Sequence, residues 1–143
     1  MGLPMPVPVA AADEVRVRID SDRAIVEARR RGRELADHAG FKSVDLAIIA
    51  TAISELARNC LLYASRGEII VRVTDDGHRP GVVIVASDHG PGIADVSQAM
   101  QDGYSTSGGL GLGLPGVRRL MDEFEITTGV GQGSKVTAKK WKD

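Results

Sequence analysis

The sequence predicts a two-layer α/β sandwich, a mixed β-sheet covered by helices on one face. Three observations carry that prediction. Most of the β-type segments arrive in pairs joined by short Gly-containing turns, two long helical segments stand back to back near the N-terminal end, and the regular strand–helix alternation of a doubly wound sheet is missing.

The elements follow in order. Residues 1–12, with Pro4, Pro6 and Pro8, read as an extended lead-in expected to be disordered, and 13–143 as a single domain. Val15, Val17 and Ile19 alternate with charged residues as in a half-buried strand. Ser21 is placed to cap a helix over 22–39 that Gly40 ends. A longer and more apolar helix is expected over 43–64, stopped before Gly67. The β-branched runs at 68–74 and 82–87 form a hairpin around Gly77. A short helix over 93–101, a glycine loop, and a helix over 114–123 come next. Strands over 124–128 and 134–141 close the chain, joined through Gly129, Gly131 and Gly133.

Composition narrows the function. A chain of 143 residues with 43% hydrophobic content holds one domain with a real core, and 3% aromatics leaves that core to Val, Ile, Leu and Ala. A formal net charge of −1 argues against nucleic acid as the main partner. Cys60 is the single cysteine, which excludes an internal disulfide and fits a reducing compartment. The longest apolar run, 82–86, is far short of a membrane span, and no signal-like segment opens the chain. A soluble cytoplasmic protein without membrane contact is expected.

The helix over 43–64 carries a polar stripe. Ile49, Ala52, Ile53, Leu56, Cys60 and Tyr63 share one face, while Thr51, Ser54, Glu55, Arg58 and Asn59 cluster on the other. Glu55 and Asn59 are one turn apart and point the same way. A carboxylate and an amide so spaced can share one Mg²⁺ through oxygen, and the carboxylate can take a proton from an attacking hydroxyl. Taken alone, the helix fits a solvated outer face better, the usual setting of charged helical residues. Cys60, amid apolar neighbours, reads as packing.

The apolar run at 82–87 leads straight into Asp88, His89, Gly90, Pro91 and Gly92. An Asp at a strand end, beside glycines that let backbone approach a ligand, can accept a hydrogen bond from the exocyclic amine of adenine. A plain turn in which Asp88 caps the next helix fits as well. His89 is incidental, because the three histidines are too scattered for a metal cluster.

Gly111, Gly113 and Gly116 spell G-x-G-x-x-G, the dinucleotide fingerprint, in the wrong setting. That fingerprint needs a strand directly before it and an acid after a second parallel strand, and neither is present. A Walker loop is excluded by the lack of Gly-Lys-Ser/Thr. Gly108, Gly109, Gly111 and Gly113 instead alternate with Leu110, Leu112 and Leu114 before a helix. Free backbone N–H groups and a helix N-terminus make an anion cradle suited to a triphosphate, with the Ser/Thr-rich stretch before it as a lid.

Glu55-Leu-Ala-Arg-Asn59, Asp88-His-Gly-Pro-Gly92 and the loop opening at Gly109 thus occur in fixed order. That order resembles the N, G1 and G2 boxes of the GHKL ATPase/kinase superfamily. The wording of the first and last motifs is more similar still to the switch-protein serine/threonine kinases of the bacterial stressosome. The resemblance spans the chain from about Val15 onward.

It implies a Bergerat ATP-binding fold with ATP and Mg²⁺ as cofactors. Asn59 would coordinate Mg²⁺, and Glu55 would act as general base or orient it. Asp88 would recognise the adenine amine, with Gly90 and Gly92 shaping that pocket. Gly109, Gly111 and Gly113 would hold the phosphates, and Thr137 would place a hydroxyl near the adenine. Related anti-sigma kinases often carry a lid arginine at the γ-phosphate. Residues 102–114 here contain no Arg or Lys, which leaves Arg58 and Arg118 as candidate cations. The expected partners are STAS-domain scaffold and antagonist proteins as substrates and a PP2C-type phosphatase activated on release. The rival readings are an anti-sigma kinase and a nucleotide-dependent docking module. A histidine-kinase role lacks its dimerisation and phosphoacceptor helix pair.

Overall fold

The structure, a computed structural model, describes residues 14–64, 66–89, 113–129 and 133–142. The Pro-rich lead-in, the helix expected over 93–101 and the loop glycines before Gly113 lie outside the described residues.

The first strand, β1 (Glu14–Ile19), turns Val17 and Ile19 into the core and its charged residues outward. Helix α1 (Asp22–His38) starts at Ser21, whose hydroxyl accepts the N–H of Ala24 at 3.2 Å. It stops at Gly40, whose φ of +96° suits glycine. There the N–H of Phe41 reaches the Ala36 carbonyl at 3.1 Å and the N–H of Gly40 reaches that of Asp37 at 3.0 Å. This Schellman closure buries Phe41 at the base of the core.

Helix α2 (Ser43–Ala64) is the centre of the molecule. Its length and hydropathy would suffice to cross a membrane, but it packs beside α1 on the same face of the sheet, with Ile49, Ile53 and Leu56 sealed from solvent. Each such side chain contributes about 1.5–3 kcal/mol by burial. The hairpin of β2 (Gly67–Asp75) and β3 (Pro80–Asp88) supplies Ile69, Val71, Val82 and Ile84 opposite them. Helix α3 (Gly113–Leu120) leans on α2, and β4 (Glu123–Gly129) and β5 (Gly133–Trp141) complete the sheet.

The strand order is β1-β2-β3-β5-β4. The two-layer sandwich with helices on one face is as predicted. The expected mixed sheet is not: among the described residues all four pairings are antiparallel. The reason lies in the connections. Two helices between β1 and β2 carry the chain out and back, so the strands meet antiparallel, where a single helix would make them parallel. Strands β3 and β4 do run parallel, but β5 is inserted between them and pairs antiparallel with both. A second difference is at α3, expected over 114–123. It ends at Leu120 because the Asp122 N–H is captured by the Lys139 carbonyl at 2.8 Å, which starts the sheet.

Candidate active site

A cleft opens where α2, the end of β3, the start of β5 and the first turn of α3 meet. Its empty space, open solvent included, is about 390 Å³. Leu56, Ala86, Leu114 and Val136 give it an apolar lining, and Asn59, Asp88 and Ser134 are the polar groups that face it. An apolar slot with a few polar groups is what a ring-bearing ligand requires.

Register decides which side chains reach the cleft. Ala86 opposes Val136 and Asp88 opposes Ser134, so all four share the helix-facing side. The Oδ1 of Asp88 accepts the N–H of Ser134 at 3.2 Å. The Ser134 hydroxyl lies 3.0 Å from that of Thr128, which itself donates to the Gly133 carbonyl at 3.1 Å. Thr137 opposes Val85 and Glu125 and therefore stands on the outer face of the sheet, away from the cleft. The expectation that Thr137 sets a hydroxyl near the adenine is corrected by this geometry. Ser134 is the hydroxyl that β5 presents there. The signal was available, since Val136 and Ala138 mark the inward parity of the strand and Ser134 shares it.

On α2, Asn59 is half-buried and faces the cleft, with Tyr63 one turn further along the wall at 43% exposure. Sequence reasoning placed Tyr63 on the apolar face of the helix. Glu55 is buried at 8% exposure, the one polar or charged side chain among the buried described residues. It stands one turn before Asn59 on the same helix. Its Oε1 takes the Arg58 guanidinium at 2.8 Å, and its Oε2 accepts the N–H of Gly113 at 3.3 Å. Gly113 opens α3 with a φ of +65°, a conformation that favours glycine. Its N–H, expected among the phosphate donors, is bonded to Glu55. Gly90, Gly92, Gly109 and Gly111 lie outside the described residues. Arg118 is exposed toward the far end of α3.

Cys60 packs under the cleft at 2% exposure, its thiol directed at the Ser87 carbonyl 3.9 Å away. Burial, and next the nearby charge of Asp88, push that thiol up to about 12. It is therefore a neutral piece of the wall. No group of three or more His, Cys, Asp or Glu side chains able to hold a metal occurs among the described residues. The donors that fit Mg²⁺ are of another kind: Asn59 offers an amide oxygen, a hard ligand suited to an ion that keeps waters and phosphate oxygens as its other partners.

A family model described as a histidine kinase-like ATPase domain matches residues 13–140. The serine/threonine-protein kinase RsbT of Bacillus subtilis (strain 168) is 52% identical over 129 residues, 90% of this chain and 97% of that protein. An anti-sigma F factor of Clostridium beijerinckii is 32% identical over 97 residues, 64% of this chain and 68% of its own length. Among solved structures, the RsbU and RsbW domains of Rv1364c from Mycobacterium tuberculosis superpose with a TM-score of 0.65 at 20% identity. That match covers 96% of this chain and 34% of the other, and shows a shared fold.

Proposed function

Because the chain belongs to the histidine kinase-like ATPase domain family, as a protein serine/threonine kinase similar to RsbT over most of its length, we propose how its cleft works and on what. It transfers the γ-phosphoryl group of ATP to a serine or threonine of STAS-domain scaffold and antagonist proteins in the cytoplasm. Once released from them it activates a PP2C-type phosphatase. The observation that carries this reading is that Asp88 and Asn59 line one cleft, while the buried Glu55 stands one turn before Asn59 and accepts the Gly113 N–H at the start of α3.

In this reading the adenine ring lies against Leu56, Ala86 and Val136, and the Asp88 carboxylate accepts a hydrogen bond from its exocyclic amine. The backbone N–H of Ser134 holds that carboxylate in place. Asn59 ligates Mg²⁺, which when bound neutralises charge on the phosphates and fixes their conformation. The substrate hydroxyl attacks in line. A new bond forms between its oxygen and the γ-phosphorus, the bond to the bridging oxygen breaks, and its electron pair leaves with ADP. Glu55 takes the hydroxyl proton. Two donors occupy Glu55, but a carboxylate has about four lone-pair sites, so acceptor capacity remains. Positioning and charge neutralisation supply most of the rate.

The anti-sigma kinase alternative shares this fold and chemistry and rests on relatives of lower identity and coverage. Incubation of the purified chain with γ-labelled ATP, Mg²⁺ and STAS-domain proteins tests the reading. Label on serine or threonine is expected. A wild-type protein that binds ATP yet moves no label to any of them would refute the kinase assignment, and tight binding to a sigma factor would favour the alternative.

A further inference from the structure

Arg58 is one of two cations that the sequence offers in place of a lid arginine, and the structure commits it elsewhere. Its Nη1 lies 2.8 Å from Glu55 Oε1, with side-chain exposures of 42% for Arg58 and 10% for Glu55. The guanidinium thus reaches a largely buried carboxylate from the solvent side. The second carboxylate oxygen accepts the Gly113 N–H, so each oxygen has its own donor. The carboxylate plane cannot turn without giving up one of them.

The helix separates the roles of its neighbours. At about 100° per residue, Asn59 lies about 40° to one side of Glu55 and Arg58 about 60° to the other. Asn59 faces the cleft, whereas Arg58 is not among the residues that line it. Arg58 turns to the other side of the helix from Asn59, and its guanidinium is engaged by Glu55.

We propose that Arg58 is a positioning residue for phosphoryl transfer: it acts through Glu55, holding the carboxylate in one orientation against the N-terminus of α3. The proposal rests on the kinase reading of the cleft. An ionised carboxylate nine-tenths buried is costly without donors, and the charge-assisted bond from Arg58 is the stronger of the two it receives. Orientation of a base matters steeply, since a displacement of about 1 Å can cost on the order of a hundredfold in rate. Removing Arg58 would also cost stability, because the buried Glu55 would lose its stronger donor. Nucleotide affinity and the Glu55→Gln background separate that cost from positioning.

The test is a double-mutant cycle on the full chain, with a STAS-domain protein as phosphoacceptor and a fluorescent ATP analogue for binding. Arg58→Ala is expected to lower kcat by roughly ten- to a hundredfold, with the KM for ATP and the analogue's affinity within about twofold of wild type. Arg58→Lys, which can still place one N–H on Oε1, should recover part of the loss. In the Glu55→Gln background, Arg58→Ala should cost no more than Glu55→Gln alone. Amide exchange at Gly113 should quicken in Arg58→Ala, a change readable without turnover.

A different pattern overturns the proposal. If Arg58→Ala weakened the analogue's affinity tenfold at unchanged kcat, Arg58 would be a phosphate ligand. If it cost the same factor with and without Glu55, it would act independently of that residue. An active protein indifferent to Arg58→Ala would leave only a surface ion pair. A wild type that binds nucleotide and never phosphorylates would instead overturn the kinase reading, and this proposal with it.

Discussion

The Oδ1 of Asp88, the last residue of β3, accepts the N–H of Ser134, the second residue of β5, at 3.2 Å. The bond ties the adjoining ends of two neighbouring strands, and both residues line the cleft. Asp88→Asn keeps an oxygen for Ser134 and removes the charge. The variant should fold normally and bind ATP about ten- to a hundredfold more weakly, the range for losing a charged hydrogen bond to a ligand. Preference for ATP over GTP should shrink as well, because guanine carries an oxygen where adenine carries its amine. Calorimetric titration with both nucleotides measures this, and an unchanged ATP affinity would remove Asp88 from the site.

Asn59 faces the same cleft through its amide. If that amide is the protein's ligand for Mg²⁺, Asn59→Ala should make nucleotide affinity nearly indifferent to the metal. Titrations of wild type and variant, each with Mg²⁺ and with EDTA, give the comparison. A metal dependence retained in full by Asn59→Ala would move the ion elsewhere. Phosphoryl transfer in the variant should fall below detection, since neutralisation of phosphate charge carries most of the chemistry.

Much of this arrangement was legible in residue order. Ser21 and Gly40 bound α1 because capping chemistry is local, and the β2–β3 hairpin follows from its β-branched runs around Gly77. The antiparallel sheet was harder to read, since it depends on β5 entering between β3 and β4, a long-range choice that no local pattern encodes. Thr137 was misplaced for another reason. Resemblance suggested a hydroxyl on the last strand, whereas strand parity selects Ser134. The pairing of Glu55 with Gly113 joins residues 58 apart in the chain, and only packing of α3 on α2 creates it.

Gly133 starts β5 with a φ of +81°, and a Cβ placed there would lie 2.1 Å from the carbonyl oxygen of Asp88. Both facts demand glycine. Gly133→Ala should destabilise the protein by about 2 kcal/mol or more, from strain and overpacking together. Because the atom struck belongs to Asp88, nucleotide affinity should drop too. Urea denaturation with a parallel ATP titration checks both. Gly77→Ala is the control: its φ is +93° but nothing lies within 4 Å of the added carbon, so it should show strain without loss of nucleotide affinity.

The Cys60 thiol supplies a pH test. Its folded pKa is raised to about 12, by burial first and by the charge of Asp88 second. The unfolded thiol ionises near about 8.5. A group whose folded value lies above its unfolded one stabilises the fold fully below the unfolded pKa. That contribution is lost as pH rises toward the folded pKa, because the unfolded chain releases its proton first. Between those two values the loss approaches about 1.4 kcal/mol per pH unit for one thiol. Cys60→Ala lacks this slope, so its deficit relative to wild type should narrow between pH 8.5 and pH 10 by about 1–2 kcal/mol. Other groups titrate in that range, but they are common to both proteins and cancel in the difference. The same burial predicts that iodoacetamide leaves folded Cys60 unmodified at pH 8.5 and alkylates it in urea. A gap between the two proteins that stays constant with pH, or rapid alkylation of the folded chain, would mean that the wall beneath Asp88 is open to solvent.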